Sequence, residues 1–240
     1  MIHLYFWPTP NGQKASIALE ELELEYQLHP VDILSGEQFE PDFLAISPNN
    51  KIPAIVDTDG PGGARLSLFE SGAILQYLAE KTHRLLPRAR LRRYEVLEWL
   101  AFQIGNVGPM FGQCGHFLGY APRRIPYAIR RYRNETLRLY GVMDRRLAAS
   151  EYLGGRDYSI ADVATWPWVD VRWLHEIDID EFPSVKRWYE QVGARPAVQR
   201  GMALLKERTK IGNPDARTRE VFFGATQLRQ GSASKQGAKR

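Results

Sequence analysis

The sequence predicts two domains in series: an α/β domain built on a mixed four-stranded sheet, then an all-helical domain. Three observations carry this. Strand-like and helix-like segments alternate over about the first 80 residues in the order βαβ, then ββα. Strand signals stop near residue 88 and long amphipathic stretches replace them. The chain has 240 residues, 44% of them hydrophobic, with 6 Trp, 11 Tyr and 10 Phe, which is enough apolar material for two cores.

Residues 3–7 form the first strand, ended by Pro8-Thr9-Pro10-Asn11-Gly12, a run of turn formers. Residues 13–24 follow as a helix with Ile17, Leu19, Leu22 and Leu24 on a roughly helical stripe, and residues 26–32 as a second strand. After a long polar loop, residues 52–57 make a third strand entered through a proline. Residues 59–63 are a turn and residues 65–69 a fourth strand. Glu70-Ser71-Gly72 then opens a helix carrying Ile74, Leu75, Tyr77 and Leu78. A βαβ start requires a parallel pair and a ββ turn an antiparallel one, so the sheet is mixed.

Beyond this, helical stretches are predicted over residues 92–119, 126–147, 160–177, 183–194 and 197–208. The expected division is residues 1–85, residues 90–208 and an extension, 209–240. The small, polar, basic end, residues 231–240, has nothing to bury and is predicted to be disordered. Ser159-Ile160-Ala161-Asp162 reads as a capping box at a helix start, a feature of folding rather than chemistry.

Composition excludes several classes of function. A single cysteine, Cys114, rules out an intrachain disulfide and gives no reason to expect an oxidising compartment. Five scattered histidines and one cysteine do not make a structural zinc site of the usual spacing. A net charge of +4 suits small anionic ligands, whereas nucleic acid would call for a concentrated basic stripe. No stretch approaches the ~20 apolar residues of a membrane helix, and the first apolar run is too short for a signal sequence and lacks a basic start. The expectation is a soluble cytoplasmic protein with neither nucleic acid nor membrane as partner.

Two local patterns bear on chemistry. In Asn49-Asn50-Lys51-Ile52-Pro53 the Ile-Pro bond is either an ordinary trans bond in a turn at a sheet edge or, if the domain is thioredoxin-like, a cis proline that turns the Ile52 N–H and C=O outward, free to pair with an extended peptide. In Phe69-Glu70-Ser71-Gly72, Ser71 lies at a strand-to-helix junction. It reads either as a simple N-cap or, with the helix amides, as a carboxylate site in which Glu70 holds a nearby ammonium. The patterns lie about 18 residues apart within the βαβ–ββα order. Together they describe a site for an extended peptide that ends in both an amine and a carboxylate, as the γ-glutamyl end of glutathione does.

Residues 1–85 resemble the thioredoxin-like glutathione-binding domain of glutathione transferases, and residues 159–168 resemble the buried helix motif of their second domain. Leu4-Tyr5-Phe6, residues 8–12, residues 46–57 and residues 68–74 are similar to the bacterial Nu-class glutathione transferase-like disulfide-bond oxidoreductases. So are residues 125–129, Arg131-Tyr132, residues 158–162 and Trp166-Pro167-Trp168. A yeast nitrogen-regulation prion protein is related to that class. The resemblance spans roughly residues 1–208, and the tail departs from it.

The resemblance implies the glutathione transferase fold, a homodimer, and glutathione as co-substrate with no metal. It implicates Thr9 and Asn11 in holding the glutathione sulfur, although both could merely shape the proline-rich turn. It implies that Gln38, Lys51, Ile52, Pro53, Glu70, Ser71 and Arg131 contact glutathione; Arg130, where the family carries an acidic residue, departs from the pattern. Tyr5 is expected to pack against the sheet or the partner domain rather than serve as the catalytic hydroxyl, and Cys114 to behave as a small buried hydrophobe rather than as a redox group in mixed disulfides with glutathione. The activity implied is glutathione-dependent disulfide exchange. Conjugation of glutathione to an electrophile and a non-enzymatic binding module remain as alternatives.

Overall fold

The computed structural model describes residues 1–209, 212 and 214–228, so the predicted disordered end, 231–240, lies outside the described residues. The N-terminal part runs β1 (Ile2–Phe6), α1 (Pro10–Glu21), β2 (Tyr26–Pro30), α2 (Pro41–Leu44), β3 (Ala54–Asp57), β4 (Leu66–Phe69) and α3 (Ser71–Thr82). The sheet order is β2-β1-β3-β4, with β1 parallel to β2 and antiparallel to β3, which is antiparallel to β4. The mixed sheet is the one the βαβ–ββα order predicts. Helices follow: α4 (Arg90–Phe102), α5 (Gly108–Gly115), α6 (Pro126–Ala149), α7 (Ile160–Asp170), α8 (Pro183–Gly193), α9 (Pro196–Ala203) and α10 (Ala216–Phe223). Among the described residues, no helix is long and apolar enough to cross a membrane.

Element boundaries differ from the sequence reading for local reasons. The first helix starts at Pro10 rather than residue 13, because Thr9 caps it and a proline fits the first helical position, where an N–H would go unused. The polar loop before β3 contains a 3-10 turn, Glu37–Phe39, as well as α2. The stretch 92–119 is interrupted by a π-helical turn, Gln103–Val107, that joins α4 to α5. The stretch 160–177 ends its α-helix at Asp170 and continues as a 3-10 turn, Arg172–His175.

Helix α1 is buried along almost its whole length, packed against α3 on one side and α7 and α9 on the other. The approach to α9 is closest at Gly201, where a Cβ would stand 2.7 Å from the backbone N and Cα of Ile17. Ser16 Oγ donates to the Gly201 carbonyl at 2.8 Å. At the end of α1, Arg195 grips the Glu21 carboxylate with Nε at 2.6 Å and Nη2 at 2.8 Å, and its guanidinium lies 4.0 Å over the Tyr158 ring. A bidentate, half-buried pair of this kind fixes orientation as well as adding energy. The N-terminus of α1, and whatever binds there, is thereby held against the helical part of the chain.

Helix α7 is the buried centre of that part, and its capping box is formed. Ser159 Oγ accepts from the Ala161 N–H at 3.3 Å, and Asp162 Oδ2 accepts from the Ser159 N–H at 3.0 Å. Asp162 reaches further than a cap requires: Oδ1 also accepts from the Leu153 N–H and from Trp188 Nε1, both at 2.9 Å.

Candidate functional site

The turn after β1 positions Thr9 and Asn11. Gly12 is needed in it because a Cβ there would lie 2.2 Å from the Trp7 carbonyl oxygen. Thr9 is the N-cap of α1, its Oγ1 accepting from the Gly12 N–H at 3.2 Å. A hydroxyl that accepts in this way keeps its own O–H for another acceptor. Asn11 is arranged likewise. Its Oδ1 accepts from Trp168 Nε1 at 3.1 Å, which directs the Nδ2 donor away from the indole. Two side-chain donors thus stand at the positive end of α1, where an anion is favoured.

Across the cleft, the Ile52–Pro53 peptide bond is cis, and the Ile52 N–H and C=O make no hydrogen bond among the described residues. Gln38 is buried, its Nε2 donating to the Ile33 carbonyl at 3.2 Å and its Oε1 without a partner. Ser71 is not the N-cap of α3. Glu70 occupies that position with φ 71°, a left-handed conformation that costs a non-glycine residue energy, and such strain clusters at ligand sites. Ser71 is the first helical residue and makes no cap hydrogen bond; its Oγ instead accepts from Lys14 Nζ at 3.3 Å. Glu70 is exposed, and its Oε1 accepts from Asn49 Nδ2 at 3.3 Å.

Three adjoining cavities collect these residues. One of about 870 Å³ is lined by Asn11, Lys51, Glu70 and Ser71, and one of about 150 Å³ by Lys51, Ile52, Pro53 and Glu70. A third of about 250 Å³ is lined by Thr9, Asn11, Gln38, Lys51 and Ile52. Arg131 lines none of them and is exposed on α6. Cys114 is buried at 1% exposure, and burial pushes its thiol above the ordinary range, the reverse of what a nucleophilic cysteine needs. Tyr5 stacks on His29 with ring centroids 4.8 Å apart.

Sequence reasoning missed four contributors. Trp168 orients Asn11, and Lys14 and Gln103 support Ser71, with Lys14 Nζ donating to Gln103 Oε1 at 2.7 Å. A lysine spaced as Lys14 is from Ile17 and Ala18, on the apolar side of its helix, was the available signal. The fourth contributor is the segment carrying α10. Phe222, Phe223 and Gln227 line the third cavity, and Gln227 Oε1 accepts from Asn50 Nδ2 and Lys51 Nζ, each at 3.2 Å.

Comparison with known proteins bears on what this cleft is. Residues 1–80 match the glutathione S-transferase N-terminal domain, and residues 128–196 the glutathione S-transferase C-terminal domain. Over 207 residues the chain is 56% identical to the disulfide-bond oxidoreductase YfcG of Escherichia coli K12, spanning 86% of this chain and 95% of that protein. Among solved structures, a glutathione transferase family member from Pseudomonas fluorescens pf-5 with two glutathione bound is 49% identical. It superposes with a TM-score of 0.79 over 84% of this chain and 92% of that one. A glutathione transferase from Pseudomonas putida, with one glutathione disulfide bound per subunit, is 46% identical with a TM-score of 0.80 over 85% and 91% of the two chains. Both domains are matched in order, and relatives of this identity span most of the chain, which therefore belongs to the glutathione S-transferase family.

Proposed function

We propose that the protein is a glutathione-dependent disulfide-bond oxidoreductase of the Nu-class type, in which Thr9 and Asn11 hold the thiolate of bound glutathione. The observation that carries this is the pairing of two freed donors at the α1 N-terminus with a lone cysteine that is buried and disfavoured as a thiolate. The reacting thiol then comes from glutathione. Lowering its pKa by two units takes about 2.7 kcal/mol of preference for the thiolate. One hydrogen bond to a charged group contributes ~1.5–3 kcal/mol, and the helix end adds to it.

In the proposed arrangement the peptide pairs with Ile52 beside Pro53 and Gln38. The γ-glutamyl amine meets Glu70, its carboxylate meets Ser71, and Lys51 takes the other carboxylate. Arg131 contributes from α6 through a side-chain rearrangement. The bound thiolate attacks one sulfur of a substrate disulfide, forming a mixed disulfide and expelling the other sulfur as a thiolate. A second glutathione thiolate attacks the glutathione sulfur of that mixed disulfide, releasing oxidised glutathione and the remaining substrate thiolate, and the two protons given up to solvent by the glutathione thiols return to the two substrate thiolates. Support comes from the name of the 56% identical Escherichia coli relative and from the glutathione disulfide held by the Pseudomonas putida structure.

Parallel assays test the reading. Reduction of a small disulfide with glutathione should turn over many times and yield oxidised glutathione, while conjugation to a general electrophile should be at least tenfold slower. The opposite ranking makes the protein a conjugating transferase. A reductase supplied by glutathione suits a reducing compartment, here the cytoplasm; a fractionated cell that retains the protein outside the cytoplasm counts against this.

The protein is also proposed to act as a homodimer. Leu91 and Tyr94 on α4 are 85% and 62% exposed, an apolar surface suited to a second copy. Light scattering at micromolar concentration should return twice the chain mass, and a monomeric mass contradicts the dimer.

A further inference from the structure

Lys14 is 2% exposed, among the largest fully buried side chains of the protein, and no carboxylate lies within ion-pair distance of it among the described residues. Burying an ammonium without an ionic partner is costly, and evolution tolerates such groups mainly where they serve a site. Its hydrogen bonds go to Ser71 Oγ at 3.3 Å and to Gln103 Oε1 at 2.7 Å, two acceptors for a group with three N–H bonds. Gln103 is itself fully buried, and its Nε2 has no partner. It sits on the π-helical turn Gln103–Val107, a distortion frequent at functional sites. Lys14 and Ser71 both line the cavity of about 870 Å³. The cluster therefore brings a buried amine and unused donors to where the carboxylate of a ligand would sit, and the Glu70 carboxylate acts on Lys14 through space without pairing with it.

We propose that Lys14 is the charge-supplying positioning residue of the γ-glutamyl carboxylate subsite. By donating to Ser71 Oγ it leaves the Ser71 O–H to donate outward, and its own ammonium balances the incoming carboxylate. Gln103 holds it from the helical domain, so both domains are needed to form the subsite. The proposal rests on the reading of the cleft as a glutathione site.

A consequence is pH-dependent recognition. Burial lowers Lys14 to about 7, with the Glu70 carboxylate opposing that shift. A bound carboxylate raises it again. The contribution of Lys14 to binding is thus complete below about pH 7 and is lost as pH rises through the value in the complex. Other charged or titratable groups lining the cavity are Glu70 at the start of α3, Lys51 before β3, and His116 and Tyr120 after α5, the Tyr120 phenol pushed up by burial and so neutral over this range. A ligand control separates their effects from those of Lys14. The tripeptide 4-aminobutanoyl-cysteinyl-glycine keeps the thiol, the amine and the glycine carboxylate of glutathione but lacks the γ-glutamyl carboxylate.

The test is calorimetric binding of glutathione and of this analogue between pH 6 and 8, with the parent and Lys14→Met. For the parent, the preference for glutathione over the analogue should shrink about tenfold from pH 6 to 8, as titration near 7 requires. For Lys14→Met the preference should be small and independent of pH, while the analogue binds as it does to the parent. The parent measurement needs no variant, so a misfolded Lys14→Met leaves the proposal testable. A parent preference that does not change with pH overturns it. So does a Lys14→Met protein that loses glutathione and analogue equally, since Lys14 would then be only a support of the domain interface. A parent that binds neither tripeptide overturns it together with the functional reading beneath it.

Discussion

Asp162→Ala is expected to lower stability by about 4 kcal/mol, the largest loss from any single substitution considered for this chain. The carboxylate is fully buried and accepts from the Leu153 N–H, the Ser159 N–H, the Ser159 hydroxyl and the Trp188 indole. Alanine removes the acceptor and leaves three donors that cannot rotate away, each costing roughly 1–3 kcal/mol when stranded in the interior. Partial relaxation and water entry keep the total below their sum. The effect should appear as a lower denaturant midpoint at unchanged slope, and as a fall of roughly 10 °C in melting temperature for a chain of this size. Asp162→Asn, which keeps one acceptor oxygen but turns a donor toward Ser159, should lose less. A loss under 1 kcal/mol for alanine would mean that the carboxylate merely caps a helix that packing already holds.

Thr9→Ala should produce the largest change in chemistry. It removes one charge-assisted hydrogen bond, worth ~1.5–3 kcal/mol, so the thiol of bound glutathione should rise by about 1–2 pKa units. At pH 7 fewer bound molecules then carry a thiolate. Because a more basic thiolate is intrinsically a better nucleophile, the rate should fall only about fivefold. Above about pH 9, where the thiolate forms unaided, the variant should match or exceed the parent. Affinity for glutathione should change little, since the groups proposed to hold the peptide are untouched. Stability should drop by about 1 kcal/mol, because the Gly12 N–H loses its cap. Thr9→Ser should restore both properties. The measurements are a pH–rate profile and the thiolate absorbance of bound glutathione. If Cys114→Ser abolishes reduction while Thr9→Ala is silent, a protein thiol carries the reaction and the proposed mechanism is wrong.

The two variants differ in how far they could be foreseen. Ser159 and Asp162 lie three positions apart, so their reciprocal cap is written into adjacent residues. The bonds from Leu153 and Trp188 join nine and 26 positions away and exist only because α7 is enclosed. Thr9 was likewise legible as part of a turn before a helix. That its oxygen is occupied by Gly12, leaving the hydroxyl proton to a ligand, required the cap geometry. Ser71 looked like a cap in sequence. The dihedral angles of Glu70 moved the cap back one residue and left Ser71 to Lys14.

Alone, the sequence determined what depends on neighbours along the chain: the βαβ–ββα order, the mixed sheet it entails, and the turns that carry Thr9, Asn11 and Pro53. Periodicity and turn chemistry act over a few residues, and those signals survive without a fold. The tertiary structure decided whatever joins distant positions. Lys14 lies on the apolar side of its helix in sequence, but its partner is found only when the sheet side and the helical side close over α1 and bring Gln103 from 89 positions away. Trp168 finds Asn11 across 157 positions, and Gln227 finds Lys51 across 176. No local preference encodes such meetings. They follow from burying the apolar faces of two domains against one helix, which removes water from Lys14 and leaves its charge to be met by protein or ligand.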